Sequence, residues 1–181
     1  DVHGHEYLFN NEKFKNLSDQ IEINIKKYLE IFSIDIKKID IYFQRSWATI
    51  SKNSENIAPH KHEQSHISFA YYLQKGKDDS QIVFLNQSPQ SEFVPKLFSS
   101  STAVIKKIIK EKNLNNSSNI MLGVEEGDIV IFPSKTLHGT QAKPNNDNRI
   151  SISADIVVTV KDSTSMEWMM PSINNWKKFS D

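Results

Sequence analysis

Three of the chain's six histidines fall within seven residues: His60, His62 and His66, in the stretch APHKHEQSHISFAYYLQ. In an extended chain, residues i and i+2 share a face. The imidazoles of His60 and His62 therefore project together, from backbone positions about 7 Å apart. Neutral imidazole suits Zn, Cu, Fe and Ni, so the two rings can converge on one transition-metal ion. The chain has no cysteine. Disulfides and thiolate ligation are excluded, and any metal must be held by His, Asp or Glu. His-x-His alone also occurs on solvated strand faces and turns, so the pair by itself does not define a site. His66 keeps the same parity and reads as an ordinary strand histidine, with a supporting or substrate-contacting role as the alternative. His3 and His5, near the N-terminus, carry no chemistry in this reading.

A second group lies in EEGDIVIFPSKTLHGTQAKPNNDNRISIS, from Glu125 to Ser153. His138 follows an apolar run that ends at Pro133, and Arg149 opens a long β-branched segment. Arg149, Ser151 and Ser153 share one face of that segment, and Ile150 and Ile152 share the other. A cation and two hydroxyls beside an apolar strand are costly to bury without a partner, and an anionic ligand would supply one. A surface arginine at a strand start is the plain alternative.

The elements that must position these groups are legible from periodicity. Asn11 to Phe32 repeats apolar residues at three- and four-residue spacing, which predicts an amphipathic helix capped by Asn10 or Asn11. Ile39–Ser51, His66–Gln74, Ser80–Gln87, Asn119–Val124, Asp128–Ser134 and Arg149–Val160 read as strands. The turn KGKDD should make a hairpin of the second and third strands, and EEGD and KPNNDN are further turns. Between Ser88 and Ser118 lies an insertion, with TAVIKKIIKEKN reading as helix and the helical part placed at about 91–113. It is a candidate lid or a solvated connection. The tail MEWMMPSINNWKKF has no clear period and should pack on the domain surface. No repeat or domain boundary is visible, so 1–181 reads as a single domain with its core at about 39–160. The pattern predicts a mainly β fold, an antiparallel sandwich, barrel or jelly roll, with an N-terminal helix and helical decoration.

Composition sets outer bounds. Lys+Arg and Asp+Glu both number 22, so no overall charge favours nucleic acid or an anionic membrane as partner. No stretch approaches the ~18–20 apolar residues of a membrane span. Lack of cysteine and of a signal-peptide pattern fits a cytoplasmic protein.

Taken together, the chain resembles the 2-oxoglutarate- and Fe(II)-dependent oxygenases. The narrower likeness is to prolyl-hydroxylase-like members from marine bacteria and their phages. The residues that carry it are His60, His62, Ser68, Tyr71-Tyr72-Leu73, Gly127-Asp128, Phe132-Pro133-Ser134, His138 and Arg149-Ile150-Ser151, over roughly Trp47 to Val160. The resemblance implies a double-stranded β-helix, a cupin-like jelly roll. It implies that His60, His62 and His138 are ligands of Fe(II), and that Arg149 and Ser151 take the distal carboxylate of 2-oxoglutarate. Tyr72 would point at the co-substrate, or else serve only as core. The implied reaction uses O2 and hydroxylates an unactivated C–H bond of a peptide side chain or small molecule, releasing succinate and CO2.

One departure matters. The common site in such enzymes is two histidines and one carboxylate, whereas His62 stands where the acid is expected. Glu63 lies next door with opposite parity. Either His62 completes the metal sphere, or it points away and Glu63 or water does. Two other readings compete with the oxygenase: a cupin-like three-histidine dioxygenase that does not use 2-oxoglutarate, and a non-catalytic jelly-roll binding module. The first has no use for Arg149-x-Ser151, and the second needs no metal.

Overall fold

The computed structural model describes residues 5–76, 81–86, 91–142 and 147–180. His3, most of the KGKDD turn and most of KPNNDN lie outside them. A 3₁₀ turn at Leu8–Asn10 and another at Glu12–Phe14 lead into helix α1, Lys15–Ile31. Asn11 caps the second turn, its side chain accepting from the Lys13 amide. Among the described residues seven strands follow: β1 (Ile39–Ser51), β2 (Ile67–Gln74), β3 (Ile82–Leu85), β4 (Asn119–Leu122), β5 (Ile129–Pro133), β6 (His138–Thr140) and β7 (Arg149–Val160). A short helix, α2 (Ser101–Ile105), sits between β3 and β4.

The strands form two antiparallel sheets, ordered β1-β7-β2-β5 and β4-β3-β6. This is the mainly β, jelly-roll-like architecture with an N-terminal helix that the sequence predicts. The expected β2–β3 hairpin does not form. β2 pairs with β5 and β7, while β3 pairs with β4 and β6. The chain crosses from one sheet to the other after β2, and again at the EEGD turn between β4 and β5. That turn is built as expected: Gly127 takes φ +92°, and Asp128 accepts from the Glu125 amide. A left-handed residue here favours glycine, which lacks the Cβ that makes this region costly.

Alternation divides the larger sheet into two working faces. The outer face is covered by α1, whose Ile21, Ile25 and Leu29 pack on Ile39, Ile67, Phe69, Ala154, Ile156, Val158 and Val160. Burying each of the larger of these side chains, the Ile, Leu, Val and Phe, stabilises the fold by roughly 1.5–3 kcal/mol. The inner face carries Ser68 and Tyr72 of β2 and Arg149, Ser151 and Ser153 of β7, which line a central cavity. In β1 a bulge at Gln44 changes which side chains face inward. Phe43 pairs with Ile156, and the next paired residue, Arg45, opposes Asp155. Ile41 and Phe43 pack against the helix-covered core, whereas Trp47 and Thr49 line the cavity. The extra residue bends the strand and re-aims its side chains, so one strand serves both faces with residues of the same parity.

The insertion departs from expectation. Among its described residues only one helical turn forms, because Lys107 takes φ +55° and ends it. Ile105 and Ile108 stay exposed, and a helix this short has little stability without a packed face. Phe98, Ala103 and Ile109 form a small cluster of their own, and no described residue of the insertion lines the cavity. The tail returns to the body. Val160 donates to the Met170 carbonyl, and Met169 packs against the helix-covered core. Among the described residues, no helix is long and apolar enough to cross a membrane.

Close approach of two backbones fixes the entry to the site. The segment 57–60 runs beside β6, and a Cβ on Gly139 would stand 2.7 Å from the Ile57 carbonyl oxygen. Gly139→Ala should therefore push the two segments apart and destabilise the protein by about 1–3 kcal/mol. Gly123→Ala meets only the Gln81 side chain, at 3.6 Å, and should leave Tm nearly unchanged. Thermal unfolding of both variants checks this, and equal Tm values for Gly139→Ala and the parent would mean that the segment is not pinned.

Candidate metal centre

His60 and His62 lie before β2, not within it. His60 forms an isolated antiparallel bridge with His138, each amide donating to the other's carbonyl, at 2.9 and 3.0 Å. Two histidines 78 positions apart are thus locked side by side through their backbones. The His62 amide donates to the Ser134 carbonyl at 2.9 Å, which fixes the next stretch on the loop after β5. The chain then turns at Glu63–Gln64 before β2 begins at Ile67. This turn breaks the parity that the sequence suggests for His66. The His66 ring lies apart from the cluster and accepts from the Val158 amide at 3.0 Å. Glu63 is exposed and pairs with Lys61 at 2.6 Å.

The three rings converge. One nitrogen from each of His60, His62 and His138 lies within 4.8 Å of the others, and ring centroids are 4.4–5.4 Å apart. The partners of the other nitrogens set the tautomers. His60 Nδ1 bonds the Ala58 carbonyl at 2.9 Å, and His138 Nδ1 bonds the Thr136 carbonyl at 2.9 Å. His62 Nδ1 stands 2.5 Å from Asp155 Oδ1. Carbonyls and carboxylates only accept, so each Nδ1 carries a proton, and Nε2 is the atom left to a metal. His62 Nε2 is buried without a hydrogen-bond partner. A buried acceptor left so is costly, and a metal ion would satisfy it. Burial pushes the His138 pKa down to about 4, reinforced by the neighbouring His60 and His62 and opposed by the Thr136 carbonyl. His138 is therefore neutral at pH 7, as a metal ligand must be. The donor set fits a divalent transition metal held by three imidazoles.

Asp155 is the residue that sequence reasoning missed. It has the parity of Arg149, Ser151 and Ser153, so an acid continuing that polar face at the same two-residue spacing is the available signal. Its carboxylate is fully buried. Burial opposes its charge, but hydrogen bonds from His62 and Arg45 prevail and hold its pKa below the ordinary value. Ser68 Oγ donates to Oδ1 at 3.1 Å, and the Ser68, Ser134 and Ser65 hydroxyls are linked at 2.8–2.9 Å. Trp47 stacks on the His62 ring, with centroids 5.9 Å apart.

The cavity, of about 220 Å³, joins the three histidines to Arg149, Ser151 and Tyr72. Arg149 is 2% exposed. Its Nη2 donates to Ser51 Oγ at 3.0 Å and to Thr140 Oγ1 at 3.2 Å. Ser151 pairs in register with Thr49 on one side and Tyr72 on the other. Tyr72 lines the cavity and also belongs to the inner core with Ile82, Val124 and Phe132.

Metal affinity separates the two arrangements of ligands. His138→Ala should abolish binding of Fe(II) or a surrogate such as Co(II), and His62→Ala should weaken it. His62→Asp should retain the metal, since it restores two histidines and a carboxylate. Glu63→Ala should match the parent. If titration found Glu63→Ala damaging and His62→Ala silent, the ring of His62 would not be a ligand.

Comparison with known proteins places the chain in a family. Residues 45–155, more than half of the chain, match the family model described as "Putative 2OG-Fe(II) oxygenase". No curated protein matches the sequence. Among solved structures, a 2OG-Fe(II) oxygenase-family oxidoreductase from Burkholderia pseudomallei is 12% identical with a TM-score of 0.48, over 72% of this chain and 50% of that one. HygX from Streptomyces hygroscopicus, solved with nickel and 2-oxoglutarate bound, is 11% identical with a TM-score of 0.43, over 65% of this chain and 56% of its own. The chain thus spans about half the length of the solved structures that it resembles. The match over residues 45–155 contains all three histidines, Arg149, Ser151 and Asp155, and the chain belongs to this 2OG-Fe(II) oxygenase family.

Proposed function

We propose that the protein is a 2-oxoglutarate- and Fe(II)-dependent dioxygenase. It would hydroxylate an unactivated C–H bond of a peptide side chain or small molecule in the cytoplasm, releasing succinate and CO2. One observation carries the reading: the three converging histidines and the buried Arg149 line the same cavity. A metal site next to a buried guanidinium suits a ligand that chelates with one end and carries a carboxylate at the other. The cupin-like alternative has no use for that guanidinium.

The residues divide the work. His60, His62 and His138 hold the metal through Nε2, their Nδ1 atoms being engaged by Ala58, Asp155 and Thr136. Bound Fe(II), with 2-oxoglutarate and O2, supplies the oxidising power for C–H cleavage. Arg149 takes the distal carboxylate, where its planar fork can engage two oxygens. The hydroxyls of Ser51 and Thr140 hold the guanidinium in place. Ser151 adds a hydroxyl on the same face, and Tyr72 closes the wall. Phe132, Ile82 and Trp47 are among the other residues that line the cavity. They keep bulk water from the reacting centre and leave the open side for substrate.

The direct test is O2-dependent succinate formation by the iron-loaded protein with free amino acids, prolyl peptides and small metabolites as candidates. Metal uptake without 2-oxoglutarate turnover on any of them, and without 2-oxoglutarate binding, would favour the cupin-like reading. No metal uptake would leave a binding module. Within the oxygenase reading, Arg149→Lys should weaken 2-oxoglutarate binding by about 1–3 kcal/mol, because lysine keeps the charge but loses the fork. Metal affinity should be unchanged. A titration in which 2-oxoglutarate bound this variant like the parent would remove Arg149 from the co-substrate site.

A further inference from the structure

A site of three neutral imidazoles brings no negative charge, so an Fe(II) held there keeps its full +2 until an anion arrives. The usual carboxylate ligand is missing from the ring of donors, yet a carboxylate stands directly behind one of them. Asp155 is fully buried, and its two oxygens have different tasks. Oδ1 accepts from His62 Nδ1 at 2.5 Å and from Ser68 Oγ at 3.1 Å. Oδ2 accepts from Arg45 Nη2 at 2.6 Å and Nε at 3.2 Å, with a long contact to Gln64 Nε2 at 3.5 Å.

The pair does not cancel at His62. Arg45 is 37% exposed and Asp155 is 0% exposed, so water screens the cation more than the anion. The anion's Oδ1 faces the ring, and the cation sits on the far oxygen. A carboxylate accepting from the Nδ1–H of a ligand histidine fixes the ring and raises the basicity of its Nε2. We infer that Asp155 is a positioning residue that, through His62, lends the iron site the negative charge its three imidazoles lack, with Arg45 tempering that charge. The inference rests on the iron reading above. Its consequence is a preference for the more highly charged metal: Asp155 stabilises Fe(III) relative to Fe(II) and lowers the potential of the couple, and Arg45 raises it.

The competing role is mechanical. Arg45 and Asp155 are register partners on β1 and β7, and their ion pair could serve only to clamp the strands. The two roles differ in sign. The full chain is loaded with Fe(II) without oxygen. Metal affinity is then measured by competition with a chelating dye, and the Fe(III)/Fe(II) midpoint potential by spectroelectrochemical titration. In Asp155→Asn, which keeps an oxygen acceptor but not the charge, Fe(II) affinity should fall about tenfold. Fe(III) affinity should fall about tenfold further, a rise of about 59 mV in potential. Arg45→Gln should move the potential the other way. A clamp predicts lower Tm and weaker metal binding in both variants, with potentials unchanged or shifted alike, and that result overturns the inference. If Asp155→Asn does not fold, Arg45→Gln decides alone: a lower potential supports the inference, and a higher or equal one overturns it. A parent chain that takes up no Fe(II) overturns the metal centre and the inference with it, whereas a loaded parent and unaltered potentials overturn the inference only.

Discussion

A buried carboxylate in the middle of the central strand is the constraint around which this site is arranged. Asp155 is fully shielded from water, and an isolated charge there would cost several kcal/mol. It is tolerated because every direction around it is answered: His62 and Ser68 on one oxygen, Arg45 on the other. Each partner comes from a different part of the chain, so satisfying one side chain draws several elements together. Arg45 reaches it because the bulge at Gln44 turns β1 over. Ser68 reaches it because β2 lies next to β7 in the sheet. His62 reaches it because the chain bends at Glu63–Gln64 before entering β2. The polar network and the arrangement of the three histidines are therefore one structure.

The same strand explains how a small sheet supports both a core and a site. β7 alternates strictly. Ala154, Ile156, Val158 and Val160 point at α1, and Arg149, Ser151, Ser153 and Asp155 point inward. Its two neighbours meet the inner face with residues that suit each position: Ser51 opposite Arg149, Thr49 and Tyr72 opposite Ser151, and Arg45 opposite Asp155. The apolar face stabilises the fold, which allows the other face to hold two charges that would not be tolerated in a core built of one layer.

Much of this was legible in the sequence, for physical reasons that also mark where legibility ended. The amphipathic helix and the long strands announced themselves by period, and the face shared by Arg149, Ser151 and Ser153 followed from alternation alone. The hairpin drawn between β2 and β3 failed because alternation within a strand says nothing about which sheet the next strand joins. The helix drawn through residues 102–113 failed because its apolar spacing finds no surface to cover, leaving Ile105 and Ile108 exposed. The parity of His66 with His60 and His62 does not hold because a turn resets it, and that turn has no proline or glycine to announce it. Asp155 continues the alternation one step beyond Ser153, but its partners His62 and Arg45 lie 93 and 110 positions away, and nothing in the sequence joins them to it.

The placement of the acid bears on how such a site treats its co-substrate. Under the proposed function, the metal must attract a dianion and then bring it to oxidation. A carboxylate bound directly to the metal would reduce the charge that the dianion meets. Moving that carboxylate behind an imidazole keeps a neutral nitrogen at the metal, while its charge still acts through the ring at longer range. Coulomb attraction falls with distance, so an incoming anion would be repelled less by a carboxylate behind the imidazole than by one bound to the metal. Arg149, which lines the same cavity, would add attraction for the second carboxylate. The three-histidine arrangement would then differ from two histidines and an acid less in total charge than in where the charge is held.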